Sequence, residues 1–252
     1  MTAHTIRLSK ASAVVAGDTL SYAADKRPLG TVSKCLLLPT AKSVMLYRGQ
    51  SQPCIHGWAE LMSQLDLSTI EQIGERLPQI LRDISKAYAA NARIGDYRRI
   101  AMLEVCVVGW SQKDKAVRMV EFFNHDRDYE PQWIPAGSRG ISHFPNLPKA
   151  AMPQGIESLK PDDQLVANVI AMGQWLADNQ NIPTGGEIIA HEVSSKGIES
   201  RVLYRYPDYE QMRRDGSAIW GRLERGDYDP DIVRNSLVGV DQAEQLVERK
   251  AG

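Results

Sequence analysis

The fold is decided by residues 2–18, which read TAHTIRLSKASAVVAGD. Residues 5–8 alternate polar and apolar side chains, and residues 12–17 are small or β-branched and end at Asp18. Both patterns are typical of short β-strands. Ser9-Lys10-Ala11 supplies a turn between them. We therefore predict that this stretch forms an antiparallel hairpin.

Further strand pairs follow the same plan, each joined by a short polar or proline-containing turn. The predicted pairs are 35–38 with 44–47, 101–110 with 116–123, and 187–193 with 199–206. Hairpins, rather than strand–helix–strand crossovers, favour antiparallel sheets.

Helical spacing of apolar residues predicts three helices between these strands. They cover 56–65, a segment from Ile70 to Ile84, and a segment that begins at Pro161. Ser68 and Glu71 have the spacing of a capping box before the second helix, and Pro78 is expected to kink or restart that helix. Helices segregated from antiparallel sheets predict an α+β fold. We expect one domain over residues 1–206 and a polar, helical C-terminal extension over 207–252.

The composition excludes several classes of protein. The chain has 252 residues, with 30 Lys+Arg against 31 Asp+Glu and a net charge of -1, whereas nucleic-acid binders normally carry a basic excess. No apolar run approaches the roughly 20 residues of a membrane helix, and the first residues lack the pattern of a signal peptide. The three cysteines are an odd count in apolar settings, which argues against a disulfide framework. We expect a cytoplasmic protein with no nucleic-acid or membrane partner.

Four residues suggest a chemistry. Removal of Met1 would leave Thr2 with a hydroxyl and a free α-amine. Asp18 ends the second strand, Lys34 precedes the third, and Gly49 follows the fourth. A threonine hydroxyl needs an adjacent base, and an N-terminal amine can serve. The Lys34 cation would lower the pKa of that amine, Asp18 would hold Lys34, and a backbone N–H near Gly49 could face the developing oxyanion.

Other polar motifs have simpler interpretations. Residues 125–128, which read HDRD, come after a strand and have no second ligand cluster, so a polar loop is favoured over a metal site. Gly185-Gly186 precedes a strand and not a helix, so it does not predict a phosphate cradle. We expect no metal and no organic cofactor.

The candidate residues resemble a known family of enzymes. They are similar to the catalytic β subunit of the proteasome, and more so to the bacterial proteasome-like, heat-shock peptidase that works with a separate ATP-driven unfoldase. The alignment runs without a gap through Thr2, Asp18 and Lys34, and Gly49 leading into a helix also matches. Weaker similarities are residues 136–140, which contain Ser138, and residues 183–186.

The resemblance implies an N-terminal-nucleophile (Ntn) hydrolase with a four-layer αββα sandwich of two antiparallel sheets flanked by helices. It implies a threonine peptidase that hydrolyses peptide bonds inside a homo-oligomeric ring, with an ATP-dependent unfoldase as a further partner. Catalysis would use Thr2, Asp18, Lys34 and Gly49, and Ser138 would support the terminal amine.

Two alternatives remain open. The family's aspartate near the terminal amine is Asn181 here, and residues 207–252 have no counterpart in the bacterial peptidase. Both departures favour an inactive ring or assembly subunit. The same chemistry on a small amide would instead make the protein an acylase.

Overall fold

The hairpin predicted from residues 2–18 forms the centre of the first sheet. The computed structural model describes residues 3–22, 28–48, 51–91, 103–124, 128–135, 137–138, 140–144, 148, 152–180, 182–211 and 213–214. Strand β1 (His4–Leu8) pairs antiparallel with β2 (Ser12–Asp18), so that His4 lies opposite Gly17. The Ser9 hydroxyl and backbone N–H both donate to the Ser12 carbonyl and close the turn.

The remaining strands of the described residues complete two five-stranded sheets and one separate hairpin. They are β3 (Leu20–Tyr22), β4 (Pro28–Thr31), β5 (Cys35–Leu38), β6 (Ser43–Arg48), β7 (Glu104–Ser111), β8 (Ala116–Phe123), β9 (Gln132–Ile134), β10 (Gly140–Phe144), β11 (Glu187–Ser194) and β12 (Gly197–Arg205). The first sheet has the order β10-β1-β2-β11-β12, and the second has the order β5-β6-β7-β8-β9. Every pairing is antiparallel, and β3 with β4 forms the hairpin.

Among the described residues, three α-helices cover the outer faces of the two sheets. They are α1 (Ser51–Ser63), α2 (Ile70–Asn91) and α3 (Pro161–Gln180). Helices α1 and α2 pack on the second sheet, where Leu61 and Leu77 are fully buried against Val107. Helix α3 packs on the first sheet through residues such as Leu165 and Met172.

A third apolar layer lies between the two sheets. Ile6 and Val15 of the first sheet belong to the same buried cluster as Leu46 and Val108 of the second sheet. The fold is therefore α+β, a four-layer αββα sandwich of two antiparallel sheets flanked by helices, as predicted.

Two details of α2 differ from the prediction. The N-cap is Thr69 and not Ser68, since the Gln72 N–H donates to the Thr69 hydroxyl while the Gln72 side-chain oxygen accepts from the backbone N–H of both Ser68 and Thr69. The helix also does not restart at Pro78, which lies within it. Pro78 lacks an N–H for the carbonyl of Gly74, but burial of the apolar face of α2 on the second sheet outweighs the missing hydrogen bond.

Within the described residues, no helix combines the length and the apolar character that crossing a bilayer requires.

Candidate active site

An ion pair between Asp18 and Lys34 is buried where β2 ends. The Lys34 Nζ donates to Asp18 Oδ2 at 2.8 Å, and the exposed fractions of the two side chains are 7% and 0%. Asp18 is the last residue of β2, and Lys34 immediately precedes β5 of the other sheet. The pair therefore links the two sheets at one edge of the sandwich. A buried charge is stable only when it is paired and hydrogen-bonded.

The second carboxylate oxygen of Asp18 joins the pair to the beginning of the described chain. The Ala3 backbone N–H donates to Asp18 Oδ1 at 3.1 Å, and the Asp18 N–H donates to the Ala3 carbonyl at 3.4 Å. The carboxylate thus fixes the residue that follows Thr2 and the Lys34 ammonium at the same time. A cation held in such a place lowers the pKa of a neighbouring amine and stabilises a nearby anion.

His4 is a member of this site that the sequence interpretation did not include. Its imidazole is fully buried and lies over Gly17, where a Cβ would overlap with His4 Nδ1. Burial first, and then the positive charge of Lys34 and the proximity of His191, lower the pKa of His4 to about 3. The imidazole is therefore neutral at ordinary pH. The alternation of β1, which directs residues 4 and 6 to the same face, was the available signal.

Cys35 follows Lys34 and is the other nucleophile type near the pair. Burial, reinforced by the Asp18 carboxylate, raises the pKa of the Cys35 thiol to about 12. Because the thiolate and not the thiol is the reactive form, Cys35 is unsuited to nucleophilic catalysis. It packs in the layer between the sheets as a small apolar residue.

The turn formed by residues 184–186 lies beside the end of β2. The Gly185 carbonyl accepts from the N–H groups of Thr19 and Leu20 at 3.3 and 3.1 Å. Gly186 has φ +78°, and a Cβ there would be 2.6 Å from the Thr19 hydroxyl, so this position requires glycine.

A tyrosine after the last strand also lies near Asp18. The Tyr206 N–H donates to the Gly186 carbonyl at 3.0 Å. Burial first, and the Asp18 carboxylate second, raise the pKa of the Tyr206 hydroxyl above its usual range. Neither this tyrosine nor its proximity to Asp18 could be inferred from sequence spacing.

Of the other predicted site residues, the structure describes only Ser138. Thr2, Gly49 and Asn181 lie outside the described residues. Ser138 is described, but its hydroxyl donates to the Pro135 carbonyl at 2.7 Å.

The register of β10 on β1 shows where Ser138 lies. Gly140 pairs with Leu8, whereas Phe144 pairs with His4. Leu8 lies four residues after His4, which is roughly 13 Å along β1 at about 3.3 Å per residue. Ser138 precedes Gly140 and therefore lies beyond the Leu8 end of β1, away from His4. Its neighbour Gly137 approaches Lys10 in the β1–β2 turn. Support of a terminal amine by Ser138 does not fit this placement.

Metal-ligand geometry can be examined only in the part of the chain that the structure describes. There, no group of three or more His, Cys, Asp or Glu side chains is arranged to hold a metal ion. The predicted loop at residues 125–128 has only Asp128 within the described ranges, where it accepts from Arg82 Nε at 2.9 Å. The expectation that no metal or cofactor is needed stays a prediction.

Comparison with solved structures identifies the fold. A Gly-1 mutant of Anbu from Hyphomicrobium sp. strain MC1 has a TM-score of 0.56 at 12% identity, over 90% of this chain and 97% of that chain. Anbu from Yersinia bercovieri, described as an ancestral beta-subunit, has the same TM-score and identity over 90% and 95%. Another Hyphomicrobium Anbu structure has a TM-score of 0.51 at 11% identity, over 90% and 96%. The chain therefore has a proteasome-like fold.

Membership of the family named in the sequence analysis is not supported. No family model and no curated protein match this chain. The similar structures share only 11–12% of their residues with it, which establishes the fold and nothing finer. The expectation that the chain belongs to the proteasome β-subunit or bacterial proteasome-like peptidase family was wrong. The matching spacing of Thr2, Asp18 and Lys34 indicated a common fold, and the similarity to the solved structures extends no further than the fold.

Proposed function

We propose that this protein is a threonine-type peptidase whose nucleophile is Thr2 after removal of Met1. The observation that carries the proposal is the buried Asp18 carboxylate, which binds the Lys34 ammonium and the Ala3 backbone N–H together. A structural ion pair needs no bond to the residue next to Thr2. An N-terminal nucleophile benefits from a fixed cation there, because the cation lowers the pKa of the α-amine.

The first step forms an ester. The Thr2 hydroxyl oxygen attacks the carbonyl carbon of a peptide bond, and its proton passes to the α-amine of Thr2, which acts as the base. The Lys34 cation keeps that amine largely neutral by lowering its pKa, and Asp18 orients Lys34. A backbone N–H near Gly49 stabilises the oxyanion. Collapse of the tetrahedral intermediate breaks the C–N bond, and the leaving amine takes the proton.

The second step releases the product. Water attacks the ester carbonyl, with the same α-amine as base, and the threonine oxygen leaves with a proton. The products are a carboxylic acid and the free enzyme. No redox partner is needed to balance either step.

Assembly and domain organisation form a second part of the proposal. We infer a homo-oligomeric ring that encloses the sites, with an unfoldase to deliver substrates in the cytoplasm. The description of the Yersinia neighbour as a beta-subunit supports an assembly. We also infer that residues 1–206 form the domain and 207–252 an extension, because β12 ends at Arg205 and Tyr206 is bonded back to Gly186.

Intact mass and turnover together test the activity. The purified protein should lack Met1, and it should hydrolyse a fluorogenic peptide. Thr2→Ala should reduce the rate by at least about 10³-fold, because only binding and oxyanion stabilisation remain, whereas Thr2→Ser should retain part of the activity. Ser138→Ala is the matched control and should be close to wild type.

The alternatives predict different results from the same material. A retained Met1 with no turnover favours the assembly subunit. Turnover of small amides by a monomer or dimer, measured by native mass, favours the acylase because no chamber would then protect other proteins.

A further inference from the structure

The imidazole of His4 touches both chain segments that carry the ion pair. It lies over Gly17, the residue before Asp18, with Cε1 only 3.0 Å from the position of a Cβ there. Nδ1, which also approaches Gly17, is 3.9 Å from the Sγ of Cys35, the residue after Lys34. His4 stacks on Phe144 with ring centroids 6.3 Å apart.

We propose that His4 is a positioning residue of the active site, whose neutral imidazole holds the backbones of Gly17–Asp18 and Lys34–Cys35 at the separation that the ion pair requires. This inference rests on the proposed function for its catalytic meaning. The contacts of His4 alone support its role in holding the two chain segments.

The surroundings of His4 favour a neutral ring rather than a cation. The charged or titratable groups that act on it from the neighbouring elements are Lys34, which precedes β5, and His191 of β11. The Cys35 thiol at the start of β5 lies beside Nδ1, and β6 contributes the backbone of Tyr47 as a hydrogen-bond partner. Because the pKa of His4 is about 3 and that of Cys35 about 12, ring and thiol are both neutral between those limits. The thiol can then donate weakly to Nδ1. A cation at residue 4 would instead compete with Lys34 for Asp18.

The close approach of His4 and Gly17 allows a test by second-site rescue. Gly17→Ala should lower kcat by about tenfold or more, because the new methyl group displaces the imidazole. Adding His4→Ala removes the overlap, so the double variant should be at least about tenfold more active than the product of the single effects predicts. Multiplicative effects would overturn the proposal.

The pH profile of activity distinguishes a positioning role of His4 from a role in filling the core. In His4→Ala, a less firmly held Lys34 no longer lowers the pKa of the Thr2 amine as strongly, and that amine must be neutral to act as base. The acid limb of kcat/KM should therefore move to higher pH, by about half a unit or more, with KM within about threefold of wild type.

A buried histidine on the opposite face of the same sheet supplies the matched control. His143 lies in β10 and bonds Asn168 of α3 at 2.9 Å. His143→Ala should lose stability without moving the acid limb. An unmoved limb in His4→Ala, or an equal movement in both variants, would contradict the proposal.

A readout without turnover distinguishes failure of this inference from failure of the proposed function. The Lys34 side-chain signal, observed with isotope-labelled lysine and assigned by Lys34→Arg, should move in His4→Ala and not in His143→Ala. If the wild type has no activity but the signal moves, the peptidase proposal fails and the positioning role remains. If the signal is unchanged in His4→Ala, the positioning role is wrong whether or not the protein is active.

Discussion

Replacement of His4 by glutamine should change how the stability of the protein depends on pH. The His4 side chain is fully buried, and its pKa is about 3 in the folded chain, against about 6.5 for an unfolded histidine. Below pH 6.5 the unfolded chain therefore binds a proton at residue 4 that the folded chain does not. Stability falls as the pH drops from 6.5 towards 3. Glutamine does not bind a proton in this pH range, so the variant does not lose stability in this way.

The magnitude follows from linkage. Each pH unit below 6.5 costs about 1.4 kcal/mol for one such group, so the His4 penalty reaches about 2 kcal/mol at about pH 5. His191, whose pKa burial also lowers, contributes equally in both proteins and cancels. The difference in free energy of unfolding between His4→Gln and wild type should thus shift by about 2 kcal/mol in favour of the variant between about pH 7.5 and about pH 5.

Urea titration followed by tryptophan fluorescence measures this difference at the two pH values. Ile6→Val is the matched control, since it shortens a fully buried neighbour on the same strand without adding or removing a titratable group. Its loss, about 1 kcal/mol, should be the same at both pH values. If His4→Gln and wild type lose stability in parallel as the pH falls, then His4 is not a buried neutral histidine.

Two further predictions concern the ion pair and the start of α2. Lys34→Met should destabilise the protein by about 3–5 kcal/mol in urea titration, because it leaves the Asp18 carboxylate buried without its cation. The double variant Lys34→Met with Asp18→Leu should be less destabilised than Lys34→Met alone. A greater loss of stability in the double variant would show that the unpaired carboxylate is not the cause. Thr69→Ala should lower the free energy of unfolding by about 1 kcal/mol because it removes the N-cap, whereas Ser68→Ala should change it by less than about 0.5 kcal/mol. Thermal unfolding of the two variants measures the difference. A larger loss in Ser68→Ala would instead support the capping box predicted from the sequence.

Much of the strand framework could be predicted because it depends on local patterns. Alternation and short turns located β1, β2 and β8 to within about a residue. The short strands β3, β4, β9 and β10 were missed, since a segment of three to five residues carries little periodic signal. Tertiary packing decided against a break at Pro78, and such packing is not visible in the spacing of apolar residues around a single proline.

The candidate site was predictable only in part, because some of its contacts depend on tertiary packing and not on local sequence patterns. Asp18 and Lys34 were identified because both stand at strand ends, and the geometry joins them. His4 was overlooked because its significance depends on the space above Gly17 and the approach of Cys35 from another sheet. Ser138 was chosen from a glycine-rich motif, but the register of β10 on β1 directs that motif to the far end of the sheet.

Covalent labelling is the decisive measurement for the assignment of Thr2 as the nucleophile. The purified wild type is treated with a peptide epoxyketone or β-lactone probe, digested and examined by mass spectrometry. We expect an adduct on the peptide that begins at Thr2 and none in Thr2→Ala. No adduct on a wild type that has lost Met1, or equal labelling of the two proteins, would contradict this assignment.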